Sequence, residues 1–147
     1  MKIYDAVRQL LNDDGLEFDE AGPILRLAYA GTNGRFLLVI RIHEQRHQVA
    51  CFALSPIDAG PRVQEASELV QRLNEELTTV AFDLQFDNGT IRCRGGIDIE
   101  GAEASQSTTK ALVSNLLYAV AAAMDEALPA ITAVVVSGLE PRRALKA

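Results

Sequence analysis

Two Asn-Gly dipeptides, Asn33-Gly34 and Asn88-Gly89, constrain this chain more than any other feature, because each lies between runs of strand formers. The tightest hairpin turns need positive φ at both central positions, and Asn-Gly meets that need well. Each dipeptide therefore predicts an antiparallel hairpin. With Asn33-Gly34 as a two-residue loop, Thr32 faces Arg35, Gly31 faces Phe36, Tyr29 faces Leu38 and Leu27 faces Ile40. That side is apolar along its length and is expected to point into the core. The other side sets Ala30 against Leu37, Ala28 against Val39 and Arg26 against Arg41. It is half apolar, which an ordinary solvated sheet surface is not.

The second hairpin reads the same way. Setting Asn88-Gly89 at its tip pairs Phe86 with Ile91, Leu84 with Cys93 and Val80 with Ile97. The opposite face then pairs Gln85 with Arg92 and Asp83 with Arg94, and opposite charges across a ladder stabilise it by about 0.2–1 kcal/mol. A third strand, Gln48 to Leu54, follows the first hairpin, with its register left open by the length of the preceding loop. Gly95-Gly96 interrupts a strand and reads as a bulge or a close-packing point.

Helices fill the rest. Ile3, Val7, Leu10 and Leu11 recur at helical spacing and stop at Asn12-Asp13-Asp14-Gly15. Leu16 and Phe18 are candidates to start a short strand. Val63, Ala66, Val70, Leu73 and Leu77 mark a second helix, with Pro61 in its first turn. A third begins among Ser105, Ser107 and Thr108, residues that cap helices. Its stripe is Leu112, Val113, Leu116, Leu117, Val120 and Met124. Pro129 is expected to break or restart it, and Ile131 to Val136 is open between helix and strand, with a short helix favoured by Pro129 and Gly138. Residues 139–147 read as a polar, frayed tail after a single domain over residues 1–138. Strands joined by tight turns are antiparallel, so the fold class is α+β, with helices on one face of the sheet. The two hairpins suggest a sheet of two halves separated by the second helix.

Charge and composition exclude several functions. The net charge is −6, and phosphate binding demands a basic face, so nucleic acid is not an expected partner. The N-terminal run is interrupted by Asp5, Arg8 and Gln9, unlike a secretion signal. The apolar run Ala111 to Met124 is too short and mixed to span a bilayer. A cytoplasmic location without a membrane partner is the expectation. Cys51 and Cys93 sit in strand-like runs and read as small buried hydrophobes. The acid is uneven: residues 1–20 hold six acids against Lys2 and Arg8, whereas Ile24 to Ile42 holds Arg26, Arg35 and Arg41 and no acid.

One motif resembles chemistry. His43-Glu44-Gln45-Arg46-His47 is H-E-x-x-H, which binds zinc when both histidines lie on one helix face and the Glu activates a metal-bound water. Here both flanks read as strands, and the only third-ligand candidates are Glu65 and Glu68 on a polar helix face. A wet loop between strands is the simpler reading, with a zinc-dependent hydrolase using His43, Glu44 and His47 as the alternative. No catalytic residue and no cofactor is expected otherwise.

The stretches Leu73-Asn74-Glu75-Glu76-Leu77, Ala81-Phe82-Asp83-Leu84, Asp87 to Arg94 and Ile97-Asp98-Ile99-Glu100, followed by a long helix, Pro129 and Gly138, resemble the YbjN-like family of bacterial sensory transduction regulators. The resemblance implies a fold similar to type III secretion chaperones, in the order α-β-β-β-α-β-β-α. It also implies a homodimer that binds other proteins rather than turning over a substrate. The family has no catalytic motif to carry across. The expected function is thus a non-enzymatic, chaperone-like or regulatory module that engages a partner protein. The expected partner surface is Arg26, Ala28, Ala30, Leu37, Val39 and Arg41, since an exposed apolar patch marks an interface. A small-ligand sensor is the remaining alternative, with no residue pointing to a ligand.

Overall fold

A computed structural model describes residues 2–146. Helix α1 (Ile3–Asp13) leads into strands β1 (Asp19–Ala21), β2 (Ile24–Ala30), β3 (Arg35–His43) and β4 (Gln48–Leu54). Helix α2 (Val63–Asn74) then precedes β5 (Ala81–Leu84) and β6 (Ile91–Asp98), and α3 (Gln106–Val135) and α4 (Pro141–Ala144) close the chain. The α+β class and the helix–strand order hold, with β1 and α4 as additions. Leu16 and Phe18 lie outside β1, half-buried beside it.

The two hairpins lie in the two halves of one antiparallel sheet, in the order β1-β2-β3-β4-β6-β5. The junction is made by β6, which pairs with β4 from Gln48↔Asp98 to Leu54↔Arg92. The ladder runs unbroken through Gly95 and Gly96, so there is no bulge there. Gly95 is a close-packing point: a Cβ on it would lie 2.6 Å from Leu116 Cδ1 and 3.0 Å from Val80 Cγ1.

Both hairpins are shifted by two residues from the expected register. The first pairs Ala30↔Arg35, Leu27↔Leu38 and Leu25↔Ile40, leaving a four-residue loop, Gly31 to Gly34. Asn33 does not take positive φ. A contact from α3 displaces the tight turn: the Asp125 carboxylate accepts from the backbone N–H of Thr32 (3.0 Å) and Asn33 (2.8 Å). The second hairpin pairs Leu84↔Ile91, Phe82↔Cys93 and Asp83↔Arg92. Its loop is closed by Gln85 N–H to Thr90 C=O and Gly89 N–H to Gln85 C=O. Phe86 therefore leaves the ladder and is 69% exposed, and Val80 does not pair with Ile97. A shift of two keeps every remaining side chain on its expected face. Leu25, Leu27, Phe36, Leu38, Ile40, Cys51, Ala53, Phe82, Ile91 and Cys93 are all buried.

The helices cover that inner face. In α1, Ile3, Ala6, Val7, Leu10 and Leu11 are buried. In α2 the buried positions are Ala66, Leu69 and Val70; Pro61 precedes the helix, and Leu77 lies beyond its end. Helix α3 is capped by Ser105, whose hydroxyl accepts from Thr108 N–H. It continues unbroken through Pro129, and Ile131 to Val135 is its last stretch. With 30 residues it has the length and hydropathy of a bilayer-spanning helix, more than the apolar run promised. Its apolar stripe nevertheless packs on the sheet, with Val113, Leu117, Val120, Met124 and Ile131 wholly buried. The C-terminal segment is folded rather than frayed: α4 packs against α2 and α3, burying Pro141 and Ala144.

Candidate functional site

The outer face of the sheet is covered by none of these helices. Strand register places its residues in rows. One row runs Ala28–Leu37–Leu54–Arg92–Asp83. The next runs Asp19–Arg26–Val39–Phe52–Arg94–Ala81. A third runs Arg41–Ala50–Gly96. Leu37 is 38% exposed, and Val39, Phe52 and Leu54 are half-exposed beside it. An apolar centre of four large side chains thus lies open on a sheet whose other face is fully packed.

All six residues nominated from the sequence lie on this face, although Arg26 opposes Val39 rather than Arg41. Ala50, Phe52 and Leu54, and the cluster Asp83, Arg92 and Arg94, were missed. The alternation of Gln48 to Leu54 carried a signal for the first three, but without a register they could not be joined to Leu37 and Val39.

Charge is unevenly placed around the apolar centre. On the β6 side, Asp83 bridges two arginines, with Oδ1 2.6 Å from Arg92 Nε and Oδ2 3.1 Å from Arg94 Nε. The Arg92 guanidinium also lies 5.1 Å over the Phe52 ring, a cation–π distance. On the other side, Arg26, Arg35 and Arg41 are exposed and make no ion pair among the described residues. Two shallow hollows, about 320 and 350 Å³, meet at Ala50 and Gly96, where the face lacks side-chain bulk. Just beyond, Gln48 Nε2 donates to Asp98 Oδ2 at 2.9 Å, and this bond with the Glu100 N–H holds the Asp98 carboxyl below its usual range.

The sheet edge beyond β5 is closed. The Asn74 side chain accepts from Phe82 N–H at 2.7 Å and donates to Phe82 C=O at 3.0 Å, replacing a neighbouring strand.

The H-E-x-x-H letters lie on no α-helix. His43 ends β3, Glu44 to Arg46 form one 3-10 turn, and His47 is left-handed at φ 53°. Glu44 has a structural partner: its carboxylate accepts from the N–H groups of Ile3 (2.6 Å) and Tyr4 (3.1 Å), capping α1 from 40 residues away. Among the described residues, no three His, Cys, Asp or Glu side chains are grouped to hold a metal. The third-ligand candidates, Glu65 and Glu68, lie on α2, and Glu68 pairs with Arg72. His47 instead lines a hollow of about 280 Å³ with Ile3, Glu103 and Thr109.

The family model of YbjN, described as "Putative bacterial sensory transduction regulator", matches residues 4–133. The chain belongs to the YbjN family. Among solved structures, YbjN from E. coli aligns over 84% of this chain and 89% of its own, at 19% identity and a TM-score of 0.60. That likeness shows a shared fold. The type III secretion chaperone SycH of Yersinia pestis, solved with a fragment of YscM2, aligns over 82% of this chain and 98% of its own, at 13% identity and a TM-score of 0.46. The HopA1–SchA chaperone–effector complex aligns over 82% and 94%, at 20% identity and a TM-score of 0.44. No curated protein sequence matches the chain.

Proposed function

We propose that this YbjN-family chain is a non-enzymatic protein-interaction module, regulatory or chaperone-like, that engages a partner protein on the open face of its sheet. The observation that carries the reading is the uncovered apolar centre Leu37, Val39, Phe52 and Leu54. Water-exposed side chains of this size, contiguous across two strands, gain free energy when covered, at about 25 cal/mol per Å² of apolar area removed from water. The geometry of His43, Glu44 and His47 favours this reading over a zinc hydrolase, because Glu44 is engaged in capping α1.

The test compares the wild-type chain with L37E as baits in a lysate, at matched melting temperatures. Proteins held by the wild type and released by L37E support the proposal; identical retention by both overturns it. The homodimer implied by the family resemblance is part of the same proposal, and the solution mass from light scattering tests it.

A further inference from the structure

Resting on that reading, we infer that the occupant of the open face is an apolar segment flanked by Asp or Glu from another protein, rather than a second copy of this chain. The argument is charge complementarity. The apolar centre is bordered on the β2–β3 side by Arg26, Arg35 and Arg41, which have no carboxylate partner among the described residues. On the β6 side, Arg92 and Arg94 share the single carboxylate of Asp83, so positive charge is in excess there too.

The chain's own acidic N-terminus meets this charge only in part. Asp19 stands across the β1–β2 ladder from Arg26, and Glu17 and Asp19 line a hollow with Arg26 and Arg35 without closing an ion pair. Arg41, between Ile24 and Ala50, has no acid beside it in the ladder. Asp13 pairs with Lys110, Asp14 accepts from Tyr118 Oη, and Glu20 pairs with Arg8. Face-to-face pairing of two copies would have to be isologous, with the same patch on both sides. It would bring one arginine-bordered patch against another, and like charges meeting at an interface disfavour the pair. Strand addition at the β5 edge is closed by Asn74. A segment laid across the face, apolar where it covers Leu37, Val39, Phe52 and Leu54 and acidic where it passes the arginines, matches both features of the patch.

The test is a display selection of random twelve-residue peptides on the immobilised full chain, run in parallel on L37E and on R26E/R35E/R41E. We expect the wild type to enrich peptides with an apolar middle flanked by an excess of Asp and Glu. L37E should enrich none of them, and the triple charge reversal should select Lys or Arg instead. An enriched peptide should bind the wild type about tenfold more tightly than its Glu-to-Lys counterpart, with the gap closing at high salt. Enrichment that depends on Leu37 but shows no acidic excess overturns the charge inference and leaves the docking face standing. Enrichment unaffected by L37E, or none on the wild type, overturns the docking face itself. A dimeric mass that L37E dissociates identifies a second copy as the occupant and overturns the inference.

Discussion

The side-chain amide of Asn33 donates to the backbone carbonyl of Asp125 at 2.9 Å. That carbonyl is the acceptor that Pro129, four residues on and lacking an N–H, leaves without its helical donor. The Asp125 carboxylate completes the junction by accepting from Thr32 and Asn33 N–H. A hairpin tip thereby repairs the defect that proline makes in α3, and α3 in turn sets the shape of the tip.

This reciprocity predicts a coupling. N33A should lower stability by about 0.5–1.5 kcal/mol, since the acceptor loses its donor. In P129A, residue 129 regains an N–H that can reach the Asp125 carbonyl, so adding N33A there should cost less, by about 0.5 kcal/mol or more. Denaturant unfolding of the four proteins measures it. Equal losses in both backgrounds would show that the two groups are not linked.

Adjacent glycines in β6 should behave oppositely. G95A drives a methyl into Leu116 and Val80 and should destabilise by about 1–3 kcal/mol. G96A points to the open face, where its nearest contact is Val49 O at 3.5 Å, and should be neutral or slightly stabilising. Thermal melts suffice, and similar losses in both would place Gly96 in a packed environment.

The motif at residues 43–47 should prove structural in its Glu. E44A removes the acceptor for two N–H groups at the start of α1 and should cost about 1–2 kcal/mol. H43A should change stability by less than about 0.5 kcal/mol, as a partly exposed side chain away from the core. A chelator should leave the melting temperature of the untagged protein where it was. Stoichiometric zinc that disappears with H43A would refute this assignment.

Burial pushes both thiols up to about 12, with the charge of Asp83 adding to the effect at Cys93. Neither should react with an alkylating reagent at pH 8 while the chain is folded, and both should react once it is unfolded. The unfolded thiols lose their protons near pH 9.0, while the folded ones hold theirs to about 12. The unfolded state binds fewer protons in that window, so stability is full below pH 9 and falls as pH rises through it. Rapid modification of the folded protein at pH 8 would contradict the burial of Cys51 and Cys93.

Much of the architecture was legible along the chain. Helix α1 was predicted position for position by Ile3, Val7, Leu10 and Leu11, because an amphipathic stripe is a local signal. The open face was half legible: Arg26, Ala28, Ala30, Leu37, Val39 and Arg41 followed from one hairpin. Phe52 and Leu54 did not, because the register of β4 on β3 was open, and Arg92 and Arg94 did not, because they join the patch only when β6 docks beside β4 from a distant part of the chain. Pro129 misled in the opposite direction. A proline interrupts a helix unless its unpaired acceptor is satisfied elsewhere, and Asn33 does so from 92 residues away.

By itself, the sequence determined which side of each hairpin strand faces the core, where α1 lies, and that the fold is an antiparallel sheet backed by helices. These follow from periodicity, which each segment carries within itself. Tertiary structure alone decided the registers of both hairpins, the continuity of α3, the pairing of β6 with β4 that joins the two halves of the sheet, and the extent of the open face. The physical reason is that side chains alternate with a period of two, so a two-residue slip leaves every face unchanged and the pattern cannot distinguish the registers. The local preference of Asn-Gly for a tight turn is then outweighed by contacts from afar, and at Asn33 the deciding partner is Asp125.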